Sequence, residues 1–398
     1  CATMSERRTL NPRRKTCSAS SSVSDMDELL ERSTEMDFVD AVGNLTDRKA
    51  SLKRESFKAV ISALQGTFSP ELLESHVDTI IASCLSIIKK NRSSSEEVLQ
   101  SLELLGLLAI TLGPEGSRLL QESYVEVKAL FCPAHPNKVR CAALETRSLL
   151  EFICTFDHVD TLSSLEELAS VFNNVDEVPE VKETALDAFS LLASLLDPKC
   201  LATDVATLFM EDISNLLHED SQGVQLSAGT ALALISEARV EHVEPEADDL
   251  YNVVANVSTR VEELSHENTK FLSKKAKAKI RSNFRDIFLT IDAGETHPEV
   301  INFGREKLVC DTWPSIVHLQ RLRNVLSTGL NSHLKHNSLL RQIFEHEITD
   351  KGEKLVGRDK RLLQSRNSIV EKQRSVQSHF ERGVLREESL FEEAPPAM

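Results

Sequence analysis

The sequence predicts an all-α protein: an armadillo- or HEAT-like α-solenoid followed by a small, mostly helical C-terminal domain with a short extended hairpin and a basic tail. Three observations support this fold class. Apolar residues make up 41% of the 398 residues but aromatic residues only 5%, and a composition rich in Leu, Ala and Ser favours helices. From about residue 25, helical patterns alternate with Pro, Gly, Asn and Asp clusters. A repeat of about 42 residues runs through the middle of the chain.

The repeat is clearest in three segments, VRCAALETRSLLEF, VKETALDAFSLLAS and VQLSAGTALALISE, which begin at Val139, Val181 and Val224. Their starts are 42 and 43 residues apart, a period typical of armadillo and HEAT arrays. Each segment has a small residue at its fifth position, where neighbouring helices can approach, and a later apolar pair that can fill the groove between repeats. These positions are Ala143, Ala185 and Ala228, and Leu149–Leu150, Leu191–Leu192 and Leu234–Ile235.

We divide the chain into four parts. Residues 1–24 are basic and then Ser-rich, with too little apolar content to offset the entropy of folding, so we expect a disordered tail. Residues 25–249 are predicted to hold the helical repeats, and residues 250–350 the C-terminal domain. In that domain, EVINFGREKLVCDTW alternates apolar and polar residues around Gly304, which predicts two short strands before helical spacing returns. Residues 351–398 are predicted to be a basic extension with an acidic end.

A long helical pattern from Leu250 to about Ile291 ends in the stretch KKAKAKIRSNFRDIF. Six Lys and Arg residues lie between Lys274 and Arg285 with no acidic residue among them, although the chain has a formal net charge of −16. Residues 25–259 carry about −24 and residues 260–382 about +7. Because repulsion within such a segment costs stability, we expect its charge to act on something outside the fold. The alternative is a solvated helix face, but such a face normally mixes signs.

We expect these cations to bind RNA. Each phosphate that a Lys or Arg neutralises releases counterions, so a row of cations on one element gives salt-sensitive binding. Aromatic residues do not interleave with the cations, which favours recognition of shape and phosphate over base stacking, and Trp313 is expected to anchor a core. In NSHLKHNSLLRQ, two histidines and an arginine are expected to be polar helix-end residues, with RNA contact as the alternative. The candidate RNA-binding residues are Lys270, Lys274, Lys275, Lys277, Lys279, Arg281, Arg285, His333, His336, Arg341, Arg358, Lys360, Arg361, Arg366, Lys372 and Arg374.

Signatures of catalysis are absent from the sequence. It has no P-loop, no GxGxxG after a strand, no GxSxG and no HExxH, so we expect no enzyme activity, no cofactor and no small-molecule substrate. Without a run of 18 or more uncharged apolar residues, and without an apolar region after the basic start, neither a membrane span nor secretion is expected. Cys132, His135 and Cys141 have a metal-like spacing, but two prolines and no fourth ligand argue against zinc, and no metal site is expected.

Three stretches resemble the interferon-related developmental regulator family: KIRSNFRDIFLTI, INFGREKLVCDTWPSIVHLQRLRNVLSTGLNSHLKHNSLLRQIF and GRDKRLLQSRNS. The resemblance covers about residues 25–380 and is most specific from Lys279 to Phe344. Two positions depart from the family pattern: Ser327 stands where animal members tend to have glycine, and EHEIT after Phe344 replaces their Gly-Pro turn. The residues that match the pattern are Phe284, Arg285, Asp286, Phe303, Gly304, Trp313, Val325, Leu326, Gly329, His333, Leu334, Asn337, Leu340, Arg341 and Phe344.

The resemblance implies an armadillo-like N-terminal region and no catalytic activity. It also implies one of two roles: binding to ribosomes that are not translating, where the C-terminal part occupies tRNA and mRNA positions, or transcriptional co-regulation. We expect the first role, for a monomeric cytoplasmic regulator with ribosomal RNA as its partner and further protein partners on the solenoid surface. The alternative is a nuclear scaffold that bridges transcription factors and histone deacetylase complexes, for which RRTLNPRRK is a weak candidate localisation signal.

Overall fold

Helices dominate the part of the chain that the structure describes. The computed structural model describes residues 38–346, apart from residues 69, 91–92, 155–157, 244–248, 268–272 and 305. Within these residues, helical layers are accompanied by a two-stranded hairpin, so the predicted all-α class is confirmed. The predictions for the N-terminal tail and for the basic extension lie outside the described residues.

The helical array begins after a helical segment that ends at residue 44. Two 3₁₀ turns, Gly113–Gly116 and Leu216–His218, connect helices within it, and the helical turn Pro198–Cys200 and the π-helical turn Leu201–Val205 lead into the ninth helix. The helices are α1 (Ala50–Gly66), α2 (Pro70–Leu73), α3 (Val77–Ile88), α4 (Ser95–Leu112), α5 (Ser117–Ala129), α6 (Asn137–Cys154), α7 (His158–Phe172), α8 (Pro179–Ala193), α9 (Ala206–Asn215), α10 (Gln222–His242), α11 (Tyr251–His266) and α12 (Lys274–Ala293).

The array has two layers. Helices α1, α4, α6, α8, α10 and α12 pack side by side as an inner layer, and α3, α5, α7, α9 and α11 cover them as an outer layer. Ala143, Ala185 and Ala228, the small residues of the repeat, have no exposed surface. Inner helices can therefore approach closely at these positions, in agreement with the repeat seen in the sequence.

Ion pairs at equivalent positions join neighbouring repeats at two places. Arg140, at the start of α6, donates from Nη1 to Glu177, 2.8 Å away and 37 residues later, and from Nε to the carbonyl oxygen of Phe131. Lys182, at the equivalent position of α8, donates to Glu219, again 37 residues later and 2.8 Å away. The side chains of Arg140 and Glu177 are almost completely buried. Removing one partner would therefore leave an unpaired charge inside the array.

Helices α11 and α12 form the last pair of the array. The long helical pattern predicted here is in fact two antiparallel helices, in which Ser258 Oγ donates to Asp292 Oδ1 at 3.4 Å, and α12 packs on both α10 and α11. Helix α12 begins after Ser273, whose Oγ accepts from the N–H of Ala276 at 3.2 Å. It ends at Gly294, whose φ of +70° favours glycine. The basic stretch is therefore the last inner helix.

Helix α4 also bears on the membrane prediction. By length and composition alone, Ser95–Leu119 is long and apolar enough to cross a membrane. Most of this stretch is buried inside the array, where α4 contacts α1, α3 and α6. The core helix of a soluble protein passes the same test, so this one stretch does not establish a membrane span.

The C-terminal block starts with the predicted hairpin. Strands β1 (Glu299–Phe303) and β2 (Glu306–Cys310) pair antiparallel around Gly304, whose φ is +64°. Helix α13 (Trp313–Leu326), a 3₁₀ turn, and the short helices α14 (Leu330–His336) and α15 (Ser338–Ile343) follow. The two predicted strands are thus confirmed.

Helix α13 lies across the inner face of the array, from α10 to α1. Near its start, the backbone N–H of Trp313 donates to Glu237 of α10, and the buried indole N–H donates to Thr290 of α12, both at 2.8 Å. Near its end, the carbonyl oxygen of Val325 accepts from Gln65 of α1 at 3.0 Å. Trp313 therefore anchors a core, as predicted. A helix of 14 residues is only about 21 Å long, yet α13 contacts both α1 and α10, which are four helix spacings apart in the inner layer. The inner face must therefore curve around α13.

The residues after α13 continue along the inner face. Gly329 lies so close to α1 that an added Cβ would be 1.6 Å from the carbonyl oxygen of Gln65. His333 is fully buried, with Nε2 2.9 Å from a backbone carbonyl oxygen of α1. Asn337 donates to the carbonyl oxygen of Ile110 in α4 at 3.0 Å. The concave surface that such arrays usually offer to partners is thus occupied by the chain's own residues.

Candidate nucleic-acid interface

The first three turns of α12 carry the predicted cations in two rows. Positions three and four residues apart share one side of a helix, so the spacing of the cations separates them into two sets. Ala278 and Ser282 are exposed between the rows, and these small side chains leave room for a phosphate backbone to approach. One row contains Lys274, Lys277, Arg281 and Arg285, and the other contains Lys275 and Lys279.

The buried side of α12 determines which cations are accessible. Phe284 and Ile287 are buried against α10, where Ile287 would lie 3.0 Å from a Cβ added at Gly229. Lys277 and Arg281 border this side, are half-buried and lie beside the ends of α10 and α11. The Nε of Arg281 also donates to the carbonyl oxygen of Lys277 at 3.4 Å. These two cations are therefore partly committed to the fold.

Lys274, Lys275, Lys279 and Arg285 are the exposed cations of the helix, and the first two lie in its first turn. In the described part of the chain, neither Lys274 nor Lys275 has a carboxylate within ion-pair distance. The first turn contains no acidic residue. The charges of these two lysines therefore face the positive end of the helix dipole, which is unfavourable for the helix. A bound phosphate would relieve this repulsion.

Lys279 has a different environment. It borders a cleft between α8, α10, α12 and α13, with a cavity volume of about 560 Å³, which Glu183 and Asp187 also line. Burial raises the pKa of the Asp187 carboxyl to about 6, although the residue keeps solvent contact within the cleft. These acids reduce the positive potential around Lys279. Lys274 and Lys275 are therefore the strongest candidates for phosphate contact.

The residues predicted downstream of α12 have mainly structural roles. His333 has no exposed surface, and burial lowers the pKa of its imidazole. A buried side chain cannot contact RNA, so His333 is removed from the candidate set. Arg341 is half-buried, with Nη2 donating to the carbonyl oxygen of Lys335 at 2.6 Å and Nη1 to Glu306 at 3.4 Å. His336 is exposed at the end of α14, and its contact with RNA stays a prediction.

Some of the predicted RNA-binding cations lie outside the described residues. Others, such as Lys279, have neighbours that the sequence did not reveal. Two of the acids that line the cleft with Lys279, Glu183 and Asp187, come from α8, about ninety residues earlier, and no local pattern signals their approach. The predicted cations that lie outside the described residues are Lys270, Arg358, Lys360, Arg361, Arg366, Lys372 and Arg374.

Comparison with known proteins identifies relatives of the chain. The family model for interferon-related developmental regulators matches residues 9–292, almost to the end of α12. Interferon-related developmental regulator 1 of Sus scrofa is 26% identical over 314 residues, which are 75% of this chain and 68% of the relative. Interferon-related developmental regulator 2 of Mus musculus is 26% identical over 321 residues, which are 75% and 70% of the two chains.

A more distant relative comes from a fungus. An uncharacterized protein of Schizosaccharomyces pombe is 23% identical over 274 residues, which are 62% of this chain and 60% of the relative. The family model itself covers well over half of the chain, so the resemblance found in the sequence is confirmed. The chain belongs to the interferon-related developmental regulator family.

Proposed function

We propose that this protein is a non-catalytic regulator that binds translationally inactive ribosomes through ribosomal RNA and blocks tRNA and mRNA sites. The observation that carries the proposal is the acid-free start of α12, where Lys274 and Lys275 are exposed and, among the described residues, unpaired. Membership of a family whose relatives are named as regulators supports a regulator rather than an enzyme. A cytoplasmic location, with the nucleus as a second one, follows from the same proposal.

The charge distribution supports RNA as the partner. Each phosphate contact contributes about −0.9 to the slope of log K against log salt concentration, so six cations support a slope of up to about −5. The array that carries α12 is acidic overall, so it repels RNA over most of its surface. Contact therefore depends on locally cationic segments such as α12 and the basic extension predicted to follow it. Contacts restricted to such segments favour a defined orientation on a folded RNA.

Co-sedimentation tests the proposal. The full chain is added to lysates of growing and nutrient-starved cells, which are then separated on sucrose gradients. We expect the wild-type protein to sediment with the monosomes and subunits of starved cells. The variant with Lys274→Glu and Lys275→Glu should stay at the top of the gradient. The control, Lys138→Glu with Lys307→Glu, changes the net charge equally at exposed positions away from α12. Monosome binding by the α12 variant at physiological salt would contradict the proposal.

Cell-free translation tests the blocking of ribosomal sites. Deletion of residues 351–398 removes the predicted basic extension, so we expect some ribosome association to remain through α12 while inhibition of translation is lost. A truncated chain that inhibits as strongly as the full chain would contradict the blocking of tRNA and mRNA sites. It would favour the alternative function, a nuclear scaffold between transcription factors and histone deacetylase complexes.

A further inference from the structure

A second group of cations lies at the other end of the array. There a cleft with a cavity volume of about 660 Å³ lies between the start of α1 and the end of α3. Lys53 of α1 and Lys90, just after α3, line this cleft together with Arg48 from the loop before α1. None of these three residues was predicted from the sequence to bind a ligand. Cations from three separate segments therefore meet in one cavity.

The carboxylates of this cleft are engaged by backbone groups. Asp47 accepts from the backbone N–H two residues later at 2.7 Å, and Glu97 accepts from the N-cap residue of α4 at 3.1 Å. Among the described residues, neither Lys53 nor Lys90 has a carboxylate within ion-pair distance. Burial, and then the charge of Lys90, lower the pKa of Lys53. Lys53 and Lys90 thus repel each other within the cleft, and Glu97 offsets this repulsion only in part.

The surroundings extend the positive surface. Helix α1 begins at Ala50 in the cleft wall, with neither a side-chain cap nor an acidic residue in its first turn, so its N–H groups also favour an anion. Nearby, Arg54 and Lys58 share one carboxylate, Glu96, each at 3.5 Å. An extended positive surface fits a polyanion with repeated phosphates better than a single phosphorylated side chain.

We propose that this cleft is a second phosphate-binding site, whose ligand is the sugar–phosphate backbone of folded RNA. The identification of RNA rests on the proposed function, whereas the phosphate site rests on the cleft itself. Helices α1 and α12 are at opposite ends of the inner layer, five helix spacings or about 40–50 Å apart along the stack. The acidic helices between them repel a single strand that follows the surface. A folded RNA can contact both ends at once.

RNA binding by charge variants tests the proposal. The full chain is titrated at several salt concentrations into a labelled RNA duplex of about 20 base pairs, long enough to reach from the cleft to α12. Fluorescence anisotropy reports the affinity. For Lys53→Gln with Lys90→Gln, we expect at least about tenfold weaker binding and a salt slope smaller by about 1.8. The control, Lys138→Gln with Lys199→Gln, removes the same charge at exposed positions outside the cleft. Equal affinities and slopes for the two variants would overturn the proposal.

NMR of the lysine amines separates this proposal from the proposed function. Duplex RNA and inorganic tripolyphosphate should each shift the Nζ signals of Lys53 and Lys90 and raise the pKa of Lys53, since a bound phosphate offsets the repulsion. Unshifted signals with both probes would overturn the phosphate site. A peptide of residues 16–28 from the Ser-rich tail, phosphorylated on its serines, serves as the competing phosphate-bearing probe. If this peptide shifts the signals and RNA does not, RNA is overturned as the ligand. If RNA shifts the signals but the chain does not sediment with ribosomes, the cleft is supported and the proposed function fails.

Discussion

Reversing the charge of Lys274 and Lys275 should change stability and binding in opposite directions. Both lysines lie in the first turn of α12, which is capped by Ser273 and contains no acid. A cation there opposes the helix dipole, whereas phosphate binding requires the cation. We therefore expect Lys274→Glu with Lys275→Glu to stabilise α12 and to weaken RNA binding.

The gain in stability can be estimated from the position of the charges. A charge at a helix N-terminus contributes about 0.3–1 kcal/mol, and each substitution removes an unfavourable charge and adds a favourable one. Position 275 also lies four residues before Lys279, so its new carboxylate gains an ion pair worth about 0.3–0.5 kcal/mol. The total is about 1.5–4.5 kcal/mol at low salt, and it falls towards the lower end of this range as salt screens these exposed charges. Lys274→Gln with Lys275→Gln should give about half.

Amide hydrogen exchange is the appropriate assay, because an array of repeats need not unfold in a single step. Exchange reports the opening of individual segments. In the Glu variant, protection of the α12 amides should rise by about tenfold to a hundredfold at physiological salt, with the Gln variant between it and the wild type. Ribosome binding by the same Glu variant should show a salt slope smaller by about 1.8, corresponding to two lost phosphate contacts.

Two results would refute this reasoning. Lower protection of α12 in the Glu variant would mean that Lys274 and Lys275 make stabilising contacts that outweigh the helix dipole. Higher protection with unchanged RNA affinity would support the dipole argument but make these lysines part of a solvated helix face. In that second case, the proposed interface would have to lie elsewhere.

Four further predictions concern the rest of the fold. Ser327→Gly should raise the free energy of unfolding by about 1 kcal/mol in urea denaturation, because a φ of +46° favours glycine. Gly329→Ala should displace the C-terminal helices from α1, and unchanged hydrogen exchange in residues 313–344 would contradict this. Arg140→Met should lower the free energy of unfolding by about 3 kcal/mol, because it leaves Glu177 buried without its partner. Adding Glu177→Leu should recover most of this loss in a double-mutant cycle. Burial lowers the pKa of His318 in the folded protein to about 4, so as the pH falls the unfolded state takes up a proton at this imidazole before the folded state does. The free energy of unfolding should therefore fall by about 1.4 kcal/mol per pH unit from about pH 6.5 towards 4. His318→Gln should lose that component in denaturation measured across this pH range.

The repeat made the array predictable, but it did not show what the C-terminal helices contact. A period of about 42 residues identifies Ala143, Ala185 and Ala228 as equivalent, and all three are fully buried. The apolar spacing of α13 predicts a helix but not the surface that its apolar side faces. The contacts that place this block join distant residues, such as Asn337 and Ile110, 227 positions apart. Sequence periodicity carries no information about such pairs.

The candidate site was predictable to a similar extent. A local run of cations revealed α12, but only the packing of the helix distinguishes exposed Lys274 from half-buried Lys277. The cleft at the opposite end needs Lys53 and Lys90 from two different helices to meet. Neither residue stands in a run as long as that of α12, so no pattern in the sequence marks either position.

The two departures from the family pattern coincide with unusual backbone conformations. Ser327 and Glu345 are the non-glycine residues with positive φ in the described part of the chain, at 46° and 49°. Family resemblance implies glycine at both turns, where a residue with a Cβ costs about 1 kcal/mol or more. The sequence shows that glycine is absent, but the cost depends on φ and is visible only in the structure.

The self-occupied inner face limits which partners the array can accept. A peptide that bound along this face would have to displace α13 and expose Trp313, Leu319, Leu322 and Leu326, all of which are buried. Each of these side chains contributes about 1.5–3 kcal/mol when buried, so displacement costs roughly 6–12 kcal/mol before any new contact forms. A partner that leaves α13 in place avoids this cost and must use the outer layer or the ends of the array. The ends carry the cations of α12 and of the Lys53–Lys90 cleft, which have no carboxylate partner among the described residues, so a phosphate-rich partner matches the surfaces that remain open.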